Sequence, residues 1–182
     1  IDVECSEQID RFGLIFHAAE LQRQPTEANL ARTDLESILR SLAPGWREQL
    51  KRREISLSLD LDRGLPTVMS DSHRLEAMLG GLIDRSSRGL PGGSELQLGL
   101  QAAGARVKLQ LHVVLPGSAT SSANASPARE ELGTVLSWDP TTGSLQLSQD
   151  ATRQMMASLG GRYQPRRDRD LTVFFPVHSD AD

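Results

Sequence analysis

The chain has 182 residues, a formal net charge of −4 and 38% hydrophobic residues, enough for one compact domain with a buried core and a short appendage. The negative charge argues against a general nucleic-acid binder, whose domains are usually basic, and no apolar run reaches the roughly 20 residues of a membrane-spanning helix. A single cysteine, Cys5, cannot form an internal disulfide, which fits a reducing compartment and predicts a cytoplasmic location.

The sequence opens on Ile1 without an initiator Met or a signal peptide. The expectation is a piece of a longer protein, with any membrane anchor outside it. Residues 1–24 read as a helix. Cys5, Ile9, Phe12, Phe16 and Ala19 recur at steps of four and three, the spacing of a helix–helix seam. Leu14, Ile15 and Leu21 widen that stripe toward a bundle. A helix this short is marginal alone in water, so the stripe predicts a partner helix and a homodimer. Residues 25–32 are polar, begin with Pro25 and read as a linker, and 33–182 form the main domain.

In that domain a helix is expected from Thr33, with Thr33 and Glu36 as a capping box. Its apolar face runs through Leu35, Ile38, Leu39, Leu42 and Trp46, and Pro44-Gly45 should bend or interrupt it. "ISLSLDL", residues 55–61, alternates apolar and polar positions and predicts a half-buried strand. Asp71 is the expected N-cap of a helix that buries Leu75, Met78, Leu79, Leu82 and Ile83. "LPGG" then leads into a hairpin of "ELQLGLQ" and "RVKLQLHVV". Residues 116–131 are small and polar and predict a flexible loop. A last helix is expected over 145–159, ended by Gly160-Gly161, before the closing strands "RYQP" and "LTVFFPV". Strands with a single apolar face pack most simply under one layer of helices.

The isolated chemical candidates are weak. His17 lies beside the seam, His73 in a first helical turn, His112 outward on a strand and His178 in the tail, with no metal-ligand spacing among them. Glu76 reads as an exposed helix charge. Neither a Gly-x-Ser-x-Gly elbow nor a P-loop occurs.

The order of elements, together with "LPTVMSDSHRLEAML", "LPGGSELQLGL" and "LGGRYQPRRDRDLTVFFPV", resembles the catalytic ATP-binding domain of sensor histidine kinases. The resemblance implies an α+β fold, the two-layer α/β sandwich shared with gyrase-type and Hsp90-type ATPases. It also implies that residues 1–24 are the tail of a dimerisation and phosphotransfer hairpin. His17, followed by "AAELQRQP", departs from the phospho-acceptor motif, which places any acceptor histidine upstream of Ile1.

Three boxes of the family are altered. Two asparagines one helical turn apart help to hold Mg²⁺ and triphosphate in these kinases. Aligning on Arg74-Leu75 and Leu82-Ile83 puts Gly81 and Arg85 in their places. Mg²⁺ needs hard oxygen ligands; glycine has no side chain, and guanidinium is a cation with donors only. The aspartate that reads adenine is matched by Leu115, with Gly117 retained, a loss worth about 1–3 kcal/mol of adenine recognition. In "TGSLQL" the packing residues Leu145 and Leu147 remain, while Thr142, Ser144 and Gln146 stand where glycines let backbone amides approach phosphate.

The expectation is a degenerate histidine-kinase-like domain acting as a regulatory or interaction module, with no cofactor. Its partners would be a second copy of itself and a response regulator or partner kinase, without nucleic-acid or membrane contact in this segment. Two alternatives stand beside it. One is an active kinase with an atypical site, using ATP and Mg²⁺, in which Arg85 and Arg88 contact phosphate instead of forming a solvated helix face. The other is a histidine phosphotransfer adaptor with a vestigial ATPase-like domain.

Overall fold

A computed structural model describes residues 29–117, 130–132, 136–139, 144–147, 149–165 and 170–178. The N-terminal seam of Cys5, Ile9, Phe12, Phe16 and Ala19, with His17, lies outside the described residues. The elements are β1 (Ala31–Thr33), α1 (Leu35–Lys51), β2 (Ser56–Leu61), β3 (Val68–Ser70), α2 (Ser72–Ser87), β4 (Glu95–Ala102) and β5 (Arg106–Val114). They continue as β6 (Glu130–Leu132), β7 (Leu136–Asp139), β8 (Ser144–Leu147), α3 (Gln149–Ser158), β9 (Arg162–Pro165) and β10 (Leu171–Pro176).

The main sheet has five strands in the order β2-β4-β5-β10-β9. Only β2 and β4 run parallel, as the intervening β3 and α2 require; the other pairs are antiparallel. Period-two alternation sends Leu96, Leu98 and Leu100 of β4 inward, and Val107, Leu109 and Leu111 of β5 likewise. Val173 and Phe175 of β10 join them. The helices cover that face with Leu39 and Leu50 of α1, Leu75, Leu79 and Ile83 of α2, and Met156 of α3. On the other face Gln97, Arg162 and Gln164 are exposed. This is the expected α+β sandwich with one covered face. Two smaller sheets, β1-β3 and β6-β7-β8, complete the described residues.

Four local expectations change. The first helix is capped by Asp34, whose carboxylate accepts the Ser37 N–H at 3.0 Å. Thr33 instead ends β1 with its side chain buried, and Glu36 pairs with Arg40 and accepts the Gly64 N–H at 3.1 Å. The Thr33–Glu36 capping box therefore does not form, because the strand claims the threonine. Pro44 does not interrupt α1, which runs unbroken from Leu35 to Lys51. It lies on the exposed face, where its fixed φ suits a helix and water can replace the lost backbone bond.

The last helix starts at Gln149 rather than near Leu145. Leu145 and Leu147 belong to β8, opposite Trp138 and Leu136, and their spacing of two is a strand period. The predicted loop of 116–131 is described only at its ends: Pro116 and Gly117 turn after β5, and Glu130 and Glu131 open β6.

Strands β1, β3, β6 and β7 are additions to the expected elements, whereas both helix ends at Asp71 and Gly160 form as expected. Asp71 caps α2, its Oδ1 accepting the Arg74 N–H at 3.1 Å and its backbone oxygen the Leu75 N–H at 2.8 Å. Gly160, at φ 80°, ends α3 in the left-handed conformation that glycine adopts without cost.

Candidate functional site

The candidate site is built on α2 and on the turn after β5. Leu82 and Ile83 turn inward and fix the helix rotation. Positions 81 and 85, four residues apart, therefore share another stripe of the helix. Gly80 faces α1, and a Cβ built there would lie 3.9 Å from Trp46 Nε1. Gly81 is half-exposed. Of Arg85 the backbone is described, in α2; its side chain lies outside the described set.

Beyond this stripe the helix is clamped to α1 through Asp84. The Asp84 carboxylate accepts from Gln49 Nε2 at 3.0 Å, from Arg53 Nη2 at 3.1 Å and from Arg88 Nε at 3.0 Å. Arg53 also donates to Ser87 Oγ at 2.7 Å. Arg88, expected either on a solvated face or against an anion, is thus engaged with Asp84; an anion there would compete with that carboxylate. Sequence reasoning missed Asp84. The available signal was its i, i+4 spacing to Arg88, which favours a helical ion pair.

Leu115 follows the last residue of β5 and is 41% exposed. Its aliphatic side chain has no acceptor for an amino group. Gly117, at φ 80°, keeps the left-handed turn. Ser144 and Gln146 stand in β8, paired with Asp139 and Ser137, so this stretch is a strand and not an open loop of amides before a helix. Thr142 lies outside the described residues. The structure thus places Gly81 and Arg85 together on one helix and Leu115 and Gly117 together at one strand end. It puts Ser144 and Gln146 in a separate small sheet.

Of the positions that the resemblance assigns to Mg-ATP, 81 carries no side-chain oxygen and 115 no side-chain acceptor, so side-chain groups for those roles would have to come from elsewhere. Among the described residues no group of three or more His, Cys, Asp or Glu side chains could hold a metal ion. Nor is any described helix long and apolar enough to cross a membrane.

The three described histidines, His73, His112 and His178, fall where their patterns put them, with one addition. His73 is in the first turn of α2 and exposed, and Glu76 is exposed as expected. The His178 N–H donates to Thr67 O at 2.8 Å. His112 points away from the core but is not isolated: its Nδ1 lies 2.8 Å from Asp170 Oδ2. Asp170 Oδ1 also accepts the Val113 N–H at 3.3 Å. Asp170 meets β5 because Leu171, the next residue, pairs with Leu111. No local spacing in the sequence announces that contact.

No family model matches the chain. In an alignment of 181 positions that covers 96% of this chain, it is 36% identical to the sensor histidine kinase Hik34 of Synechocystis sp.. It spans 38% of that protein. Among solved structures it is similar to full-length ShkA in complex with AMPPNP, with a TM-score of 0.67 and 19% identity. That match covers 97% of this chain and 38% of the other. It is also similar to the histidine kinase ThkA in complex with the response regulator TrrA. There the TM-score is 0.66 and the identity 12%, covering 97% of this chain and 49% of the other. The structural likenesses are likenesses of fold.

Proposed function

We propose a function from the premise that this chain is a histidine-kinase ATPase-type domain, related over almost its whole length to a sensor histidine kinase. It acts in two-component signalling as a regulatory or interaction module, without Mg-ATP chemistry of its own. The observation that carries this is the contrast at one site. The sheet, the capped helix and the left-handed Gly117 are intact, while Gly81 and Leu115 supply neither a metal ligand nor an adenine acceptor. Selection for folding has a reason to keep the first group whether or not nucleotide binds. Only binding gives a reason to keep the second.

The partners follow the same logic. A homodimer rests on the seam of Cys5, Ile9, Phe12, Phe16 and Ala19. A response regulator or partner kinase as the other contact is supported by ThkA, whose structure contains a response regulator.

A second proposal, an active kinase with an atypical site, is favoured by the 36% identity to a protein named as a sensor kinase. Arg85 would then meet phosphate directly. Titration calorimetry with a non-hydrolysable ATP analogue and Mg²⁺ separates the two. The regulatory module gives no heat of binding up to millimolar nucleotide. A micromolar dissociation constant, abolished by EDTA, establishes the atypical kinase instead.

A further inference from the structure

Strand β3 has three residues, Val68–Ser70, yet several parts of the domain meet on it. Along one edge it pairs with β1, from Thr33↔Val68 to Ala31↔Ser70. Val68 also bridges to Val177, just past β10. From inside the strand, Ser70 Oγ donates to Leu159 O at 2.7 Å, directly after α3. The Met69 carbonyl oxygen lies where a Cβ on Gly160 would come within 2.5 Å, so the end of α3 is seated on the β3 backbone. Asp71, the next residue, caps α2 through Oδ1, while its Oδ2 accepts the backbone N–H of Asn29 at 3.3 Å. Thr33, 3% exposed, directs its hydroxyl to Ser70 O and Ala31 O, both at 2.9 Å.

We infer that β1 is a latch that couples the chain at Asn29 and Thr33 to the start of α2 and the end of α3. The connection is physical at each step. A displacement of Asn29 acts on the carboxylate that caps α2. A displacement of Thr33 acts on Ser70, which is bonded to the end of α3. Close-packed elements move between discrete arrangements and do not deform smoothly, so a strand joined to two helix ends passes its position to both. The latch is also weak enough to open. Of its three residues only Thr33 is buried, and Ala31 and Arg32 are exposed, the profile of a segment with a low free energy of local opening. The inference requires no nucleotide and stands apart from the function proposed above.

Amide hydrogen exchange on the full 182-residue chain tests it. Asn29→Pro removes the N–H that reaches Asp71 while leaving the Asp71 cap in place. Thr33→Val fills the same space without the hydroxyl. Each variant loses about one hydrogen bond, so exchange should quicken about three- to tenfold at residues 75–78 and 159–161. The amides of β4 and β5 should keep their wild-type rates. Faster exchange confined to residues 31–33 would show that β1 opens without touching either helix, and the latch would be refuted. A uniform acceleration that includes β4 and β5 would refute it too, because the effect would then be global destabilisation. Unchanged rates throughout would mean that these bonds hold nothing.

Discussion

On one side of α2, Leu75, Leu79 and Ile83 are each at most 1% exposed and meet the inner face of the sheet. On another stripe of the same helix stand Gly81 and Arg85. The first group is what any helix needs to lie on this sheet. The second holds the positions that the resemblance assigns to metal and phosphate ligands. One helix thus separates what folding demands from what chemistry demands, since both sets of residues share the same backbone and the same cap at Asp71.

The largest expected effect breaks the comparison from the packed side. Leu79→Ala removes a side chain that is 1% exposed and should cost about 2–5 kcal/mol of stability, through lost burial and the cavity left behind. Glu76→Ala, on the exposed side of the same turn, should change stability by less than about 0.5 kcal/mol. Urea denaturation of the two variants measures the ratio directly. Equal effects would mean that the faces are not distinct in energy.

A smaller effect is expected at Asp84, which belongs to neither group. It anchors the end of α1 and the turn after it to α2 through Gln49 and Arg53, and it also holds Arg88 at the C-terminus of α2. Its side chain is 24% exposed, so the partners can rehydrate when it is removed. Asp84→Ala should therefore cost about 1–2 kcal/mol, less than a buried charge cluster would. A double-mutant cycle with Arg53→Met should return a coupling of at least about 0.5 kcal/mol. Additivity within error would show that the Arg53 contact, 3.1 Å in the structure, contributes nothing.

These contrasts also mark where the sequence was informative. Strands β2, β4, β5 and β10 were visible because each carries apolar residues at every second position, and α2 because Asp71 precedes a stripe at steps of three and four. Strands β1 and β3, with three residues each, are too short to show a period, so the linker end was not read as a strand. In 144–147 the alternation of Leu145 and Leu147 was present, but the expectation of a following helix absorbed it. The Arg53–Asp84 and His112–Asp170 contacts join residues far apart in the chain, and only the assembled sheet and helix pair bring them together. For the candidate site, residue types alone showed which side chains stand at the positions that the resemblance assigns to nucleotide. What the structure added was placement: Leu115 exposed at a strand end, Ser144 and Gln146 in a strand, and Arg88 bound to Asp84.

The smallest effect sharpens the comparison at the glycines. A glycine inside a helix costs about 0.5–1 kcal/mol relative to alanine, because it loses more backbone freedom on folding. Such a residue persists either because a neighbour leaves no room for a methyl group or because no selection removes it. At Gly80 the first explanation fails. An added Cβ would lie 3.9 Å from Trp46 Nε1, an ordinary van der Waals contact, on a helix whose interior has no other glycine besides Gly81. Gly80→Ala should therefore raise stability by about 0.5–1 kcal/mol, and the midpoint of thermal unfolding with it. The new methyl group also adds contact with Trp46, whose side chain is 6% exposed and already part of the core. A loss of stability would instead show that α1 and α2 lie closer than this geometry allows, and that Gly80 is a packing requirement of the helix pair.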